Sequence, residues 1–201
     1  MPRIVVLVSG NGTNLQYLID KVKSKELNVS ISAVVSDREC FALKRAEMEG
    51  IPYFCLNRKE KNFGTNLLSL LNKYADFVVC AGFLSIIDPL IIQNFQYRII
   101  NLHPALLPAF GGKGMFGNKV HRAVLDHGCK ITGCTVHFIT DDIDGGPIIL
   151  QYAIPVLDND DEQSLAQRLS LFEHNILFEA VKLLCENRLK VEGRKVTILL
   201  T

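Results

Sequence analysis

The chain has 201 residues, a size for one domain and enough to bury a substantial core. Hydrophobic residues make up 48% and charged residues 21%, with 22 basic against 21 acidic side chains and a net charge of +1. That balance argues against a nucleic-acid-binding or membrane-surface protein, and no apolar stretch approaches the ~20 residues needed to cross a bilayer.

In chain order, Arg3 to Val8 reads as a buried strand. Leu15, Leu18, Ile19 and Val22 then recur at i, i+3, i+4 and i+7, one face of a helix. Ile31 to Val35 is a second strand, Phe41 to Glu49 a second helix and Tyr53 to Leu56 a short third strand. Leu67, Leu68, Leu70, Leu71 and Tyr74 mark a third helix. Phe77 to Ala81 is a fourth strand and Tyr97 to Asn101 a fifth. A further helix starts near Asn118. Thr132 to Ile139 and Pro147 to Pro155 are longer strands around the acidic turn Asp141-Asp142-Ile143-Asp144-Gly145-Gly146. Leu165, Leu169, Phe172, Ile176, Ala180 and Leu183 trace one long helix, and Val196 to Leu200 reads as a last edge strand.

Continuous β-branched runs alternating with helices imply a parallel sheet covered on both faces. The expected fold is α/β, a doubly wound and mostly parallel sheet with an antiparallel strand in the carboxyl-terminal half. One domain spans 1–201, with a nucleotide-binding-like half over 1–100 and a catalytic half over 101–201. The amino terminus lacks a signal-peptide layout, and the six dispersed cysteines read as core residues in a reducing compartment, so the expected location is cytoplasmic.

Ligands of such sheets bind outside the carboxyl ends of the strands. The first such end is Ser9-Gly10-Asn11-Gly12-Thr13-Asn14, leading into a helix. Glycines let backbone N–H groups approach an anion, and the helix start adds partial positive charge. The plainer reading is a tight turn capped by Thr13 or Asn14; phosphate binding is favoured over it. A Walker loop is excluded because no Lys-Ser or Lys-Thr follows. The dinucleotide fingerprint fails at Leu15, although Asp37 at the end of the second strand keeps a nicotinamide reading open.

The fifth strand delivers Asn101-Leu102-His103-Pro104 to the same edge. Alternation puts Asn101 and His103 on one side and Leu102 on the other. An amide and an imidazole so placed can hold a developing oxyanion or move a proton. The acidic turn Asp141, Asp142 and Asp144, taken alone, reads as solvated and capped by Gly145-Gly146. A metal site built from an Asp, His137, Cys129 and Cys134 has the wrong cysteine spacing for zinc, and none is expected; His137, in mid-strand, reads as structural.

Asn101-Leu102-His103-Pro104-Ala105-Leu106-Leu107-Pro108 resembles the signature of the folate-dependent formyltransferases. The opening Val6 to Leu15 and the block Val136 to Pro147 are similar to the branch that acts on phosphoribosylglycinamide. The resemblance implies transfer of a formyl group from 10-formyltetrahydrofolate, as co-substrate and without a metal, to the amine of 5′-phosphoribosylglycinamide in purine synthesis. It implies that Asn101 and His103 bind the formyl oxygen or handle protons, and that Asp144 pairs with His103 directly or through water. It also implies that Gly12, Thr13 and Asn14 carry the ribose phosphate, with Pro104 and Glu173 near the rest of that substrate. The folate pocket would comprise Phe83, Leu84, Ser85, Ile86 and Ile87, with Asn101, Thr140 and Asp141. Many members have Met-Arg where this chain has Leu84-Ser85. The cation that grips the folate tail is expected near Arg58 or Lys59. Ile92 is either an apolar wall of the pocket or a core residue.

Small molecules are thus the expected partners, with a monomer or weak homodimer and neither nucleic acid nor membrane. A formyltransferase acting on tRNA normally has a further basic domain, whereas about 50 residues follow Pro147 here. A formyl-folate hydrolase usually has a domain ahead of the first strand, which here starts at Arg3. The glycine-rich stretch Phe110 to Gly117 is expected to be a mobile lid; Lys113 is within reach of a ligand anion there, but the favoured reading is a solvated loop lysine.

Overall fold

The computed structural model describes residues 1–200. In chain order the elements are β1 (Arg3–Val8), α1 (Thr13–Lys23), β2 (Ser30–Ser36), α2 (Phe41–Met48), β3 (Tyr53–Cys55), α3 (Phe63–Tyr74), β4 (Phe77–Cys80) and α4 (Pro89–Asn94). There follow β5 (Ile99–His103), α5 (Asn118–Asp126), β6 (Ile131–Phe138), β7 (Ile148–Pro155), α6 (Glu162–Cys185), β8 (Leu189–Glu192) and β9 (Lys195–Ile198).

Seven strands form one sheet in the order β3-β2-β1-β4-β5-β6-β7. The first five run parallel, and β6 and β7 are antiparallel to their neighbours. β1 is apolar without alternation because both of its faces are covered. Ile4, Val6 and Val8 pack under α1, α2 and α6, while Val5 and Leu7 pack under α3 and α4. All five are fully buried, and each such side chain contributes about 1.5–3 kcal/mol by leaving water. The chain winds from β1 to β2 on one side and reaches β4 on the other, so a crevice opens at the carboxyl ends of β1 and β4.

Three expectations are corrected. The fifth strand begins at Ile99, not Tyr97, and continues through His103. Tyr97 has φ 53°, and the N–H of Arg98 closes onto the Phe95 carbonyl, so this stretch ends α4 instead of starting a strand. Helix α4 is foreshadowed only by the reading of Ile92 as a helix residue facing the core, without bounds. Six residues are too few to show a period; its signal is Asp88, whose carboxylate accepts the Leu90 N–H at 2.9 Å, followed by Pro89 in the first turn. The segment from Val196 is not an edge of the main sheet: β9 pairs with β8 in a separate two-stranded sheet.

Candidate active site

The crevice is a cleft of about 840 Å³. Asn101, His103, His137 and Asp144 line it, with Asn14 and Glu173; residues 82–87 form one wall and residues 112–117 another. Pro104, Thr140 and Asp141 also line it, as does Ile92, which packs against the α3–α4 core as well. Gly12 and Thr13 are not among the lining residues; Asn14 alone of the three is.

Pairing of β5 with β6 sets Asn101 opposite His137. The His137 Nδ1 lies 2.9 Å from the Phe138 carbonyl, to which it donates, so its Nε2 carries the lone pair and accepts from the Asn101 amide at 3.2 Å. That bond fixes which way the amide faces and leaves its second N–H free. Burial drives the His137 pKa down, against weaker upward pulls from the Phe138 bond and from Asp144, so the ring is neutral.

His103 is held at both nitrogens. Nε2 donates to the Phe110 carbonyl at 2.9 Å, and Nδ1 lies 3.6 Å from Asp144 Oδ2. The latter is longer than a hydrogen bond and close enough for a charge contact. Asp144 Oδ1 lies 3.6 Å from His137 Nε2, so this carboxylate stands between two imidazoles. The Gly112 N–H donates to Asp144 Oδ2 at 2.9 Å. Asp144 takes a left-handed φ of 56°, which an aspartate tolerates. Two residues on, a Cβ at Gly146 would stand 1.8 Å from the Phe138 carbonyl oxygen, so only glycine lets the turn close on β6.

In the first loop, the Gly10 carbonyl accepts the Ala42 N–H at 3.1 Å and the Asn11 carbonyl accepts Arg45 Nε at 2.8 Å. Both carbonyls therefore turn toward α2. Gly12 has φ 75°, and a Cβ there would meet the Ala42 Cβ at 2.6 Å. The helix start has no side-chain cap, contrary to the capped-turn reading, which leaves its first N–H groups for an anion. Asn14 and Glu173 line the cleft together, and the Asn14 Oδ1 is buried without a partner. Burial pushes the Glu173 pKa up to about 7, outweighing the downward pull of Asn14.

On the 82–87 wall, Phe83, Leu84, Ile86 and Ile87 give an apolar surface. Neither Arg58 nor Lys59 lines the cleft; Arg58 Nη1 instead lies 4.0 Å from Asp37, while Lys113 does line it. The nicotinamide reading of Asp37 fails, because its carboxylate is wholly buried and bound by Arg38 and Ser85. The cysteine–histidine metal reading fails too: Cys134 packs into the α6-side core on the opposite face of β6 from His137.

Sequence reasoning missed four contributors. His137 had a signal, since its period-two spacing from Thr135 sets it on the inward face of a strand beside Asn101. His121, buried in the cleft wall with an unpartnered Nδ1, and Arg45, under the first loop, show only in three dimensions. So does the Phe110 carbonyl, turned to His103 by a residue with φ 54°.

The Formyl transferase family model matches residues 2–181. The chain is 38% identical over 195 residues to a chloroplastic phosphoribosylglycinamide formyltransferase of Arabidopsis thaliana, covering 94% of this chain and 67% of that protein. It is 37% identical over 194 residues to the phosphoribosylglycinamide formyltransferase of Escherichia coli K12, covering 94% and 89%. The crystal structure of glycinamide ribonucleotide transformylase 1 from Symbiobacterium toebii superposes with a TM-score of 0.93 at 40% identity, covering 99% of this chain and 94% of that one. With a match that runs from β1 to the last turns of α6 and takes in every group of the cleft described above, the chain belongs to the formyl transferase family.

Proposed function

We propose that the chain transfers the formyl group of 10-formyltetrahydrofolate to the amine of 5′-phosphoribosylglycinamide, a step of purine synthesis. The observation that carries this is the meeting of Asn101, His103 and Asp144 in one cleft, beside a glycine turn with unpaired N–H groups. The free N–H of Asn101 holds the oxygen of the formyl group as negative charge develops on it; one such donor is worth about 3–4 kcal/mol in the barrier. The amine nitrogen bonds to the formyl carbon as the bond from that carbon to the folate nitrogen breaks. His103, through Nδ1, takes the proton the amine loses and returns it to the leaving folate nitrogen, with the Asp144 carboxylate beside it stabilising the charged ring. General acid–base work of that kind gives about 10²–10⁴-fold.

The cleft fits a folate donor. Its ~840 Å³ lies within the range of small-molecule sites, and its apolar wall leads to the polar centre. Phe83 to Ile87, with Thr140 and Asp141, would hold the ring; Lys113 is the cation placed to meet the acidic tail. Gly12, Thr13 and Asn14 offer the phosphate their N–H groups, and Glu173, with Pro104, faces the glycinamide part. No helix among the described residues is long and apolar enough to cross a membrane, and a cytoplasmic location with residues 1–201 acting as one domain accords with small soluble substrates.

An absorbance assay of formyl-folate consumption, with and without the amine substrate, tests the reading. Turnover that requires the amine supports it; equal turnover without the amine would make the protein a hydrolase.

A further inference from the structure

We propose that Asp37 is a positioning residue, which holds the loop of residues 82–87 against the end of β1 and so sets the affinity for the formyl donor. The inference rests on the function proposed above and concerns a group outside the cleft.

Loop 82–87 has no secondary structure of its own. Two of its apolar side chains, Leu84 and Ile86, are 40% and 71% exposed and line the cleft. Nothing in core packing aims them there, so their direction must come from the residue between them. The Ser85 hydroxyl, on a residue that also borders the cleft, donates to Asp37 Oδ2 at 2.6 Å. One residue earlier, the Leu84 N–H donates to Ser9 Oγ at 2.8 Å, just past the end of β1. The loop is thus fastened at two successive residues, Leu84 to Ser9 and Ser85 to the buried Asp37 carboxylate.

That carboxylate is fixed in turn. Arg38 donates to it with Nε and Nη2, both at 2.9 Å, and the Asp37 side chain has no exposure. Burial alone would raise the Asp37 pKa, but the bonds from Arg38 and Ser85 outweigh it and hold the group below its ordinary value. A carboxylate can accept all of these bonds at once, whereas an amide would oppose one of them with its own N–H groups.

The test is a cycle of Asp37→Asn, Ser85→Ala and the double variant in the full chain, with Ser85→Thr as the conservative replacement. Each single variant should raise the KM for 10-formyltetrahydrofolate by about tenfold, the scale of one hydrogen bond to a charged group. The KM for the phosphorylated amine should move by less than about threefold. The double variant should be no worse than either single one, because both remove one link. Ser85→Thr should restore the donor KM. If Asp37→Asn does not fold, the Ala and Thr variants at position 85 decide alone. An unchanged donor KM in Ser85→Ala, or effects that multiply in the double variant, would overturn the proposal while leaving parent turnover intact; a parent without amine-dependent turnover would overturn the function instead.

Discussion

The side chains of Asn101 and His137 meet across the β5–β6 pairing at 3.2 Å, with the imidazole accepting from the amide. Asn101 therefore does not choose its own orientation. The second N–H, the one free for a developing oxyanion, faces the cleft because the first is taken by a neutral, buried histidine.

His137→Ala should accordingly lower kcat by about tenfold to a hundredfold while both KM values change little, because the loss falls on a donor that acts in the transition state. Steady-state kinetics on a folded variant checks this. A rise in KM at constant kcat would show that the pair serves binding instead.

Glu173 gives the protein a pH signature. Its pKa is raised to about 7 from 4.5 by burial, so the native state holds this proton more tightly than the unfolded chain does. The stability it contributes is full below about 4.5 and is lost as pH rises to about 7. The neutral histidines His121 and His137, both buried, and the half-buried His174 act in the opposite sense, losing stability as pH falls below 6.5. The comparison must therefore be with Glu173→Gln. Relative to that variant, the parent should lose stability by on the order of a hundredfold in the unfolding constant between pH 5 and pH 8. Denaturant titrations at the two values measure it, and parallel curves would contradict the assignment.

Arg45 clasps the first loop from beneath, reaching the Asn11 carbonyl with Nε at 2.8 Å and the Gln16 side chain with Nη1 at 3.2 Å. Arg45→Ala should raise the KM for the phosphorylated amine by about tenfold and spare the folate KM. Lys at 45 keeps the charge but not the fork, so it should not restore the value. Full rescue by Lys would mean that charge alone matters.

The stretch from Phe110 to Gly117 supplies a carbonyl to His103, an N–H to Asp144 and most of one cleft wall. Its amides should gain hydrogen-exchange protection when a folate analogue binds, as a closing lid would. Unchanged exchange across 112–116 would leave it a fixed wall.

Much of this architecture could be read in the sequence, and the reasons are physical. A doubly covered parallel sheet forces uninterrupted apolar strands, so Ile4–Val8 and Phe77–Cys80 announce themselves. Period-two alternation correctly set Asn101 and His103 on one face, with Leu102 in the opposite core. The Asp144 pairing was visible through its block of neighbours but not its distance, nor its second imidazole. Local signals also failed where contacts are remote. Arg45 and Asn11 lie 34 residues apart, and Asp37 and Ser85 lie 48 apart. Nothing in either short stretch says that they touch. The six-residue α4 was lost because its cap is a stronger signal than its period.

The central claim is that Asp144 sustains proton transfer by His103 across their 3.6 Å contact. Measuring kcat for Asp144→Asn and His103→Ala, alone and together, tests it most directly. The account predicts a loss of about 10²-fold or more in each, an unchanged melting temperature, and a double variant no slower than the worse single one. Near-parent turnover in either single variant, or losses that multiply in the double, would contradict it.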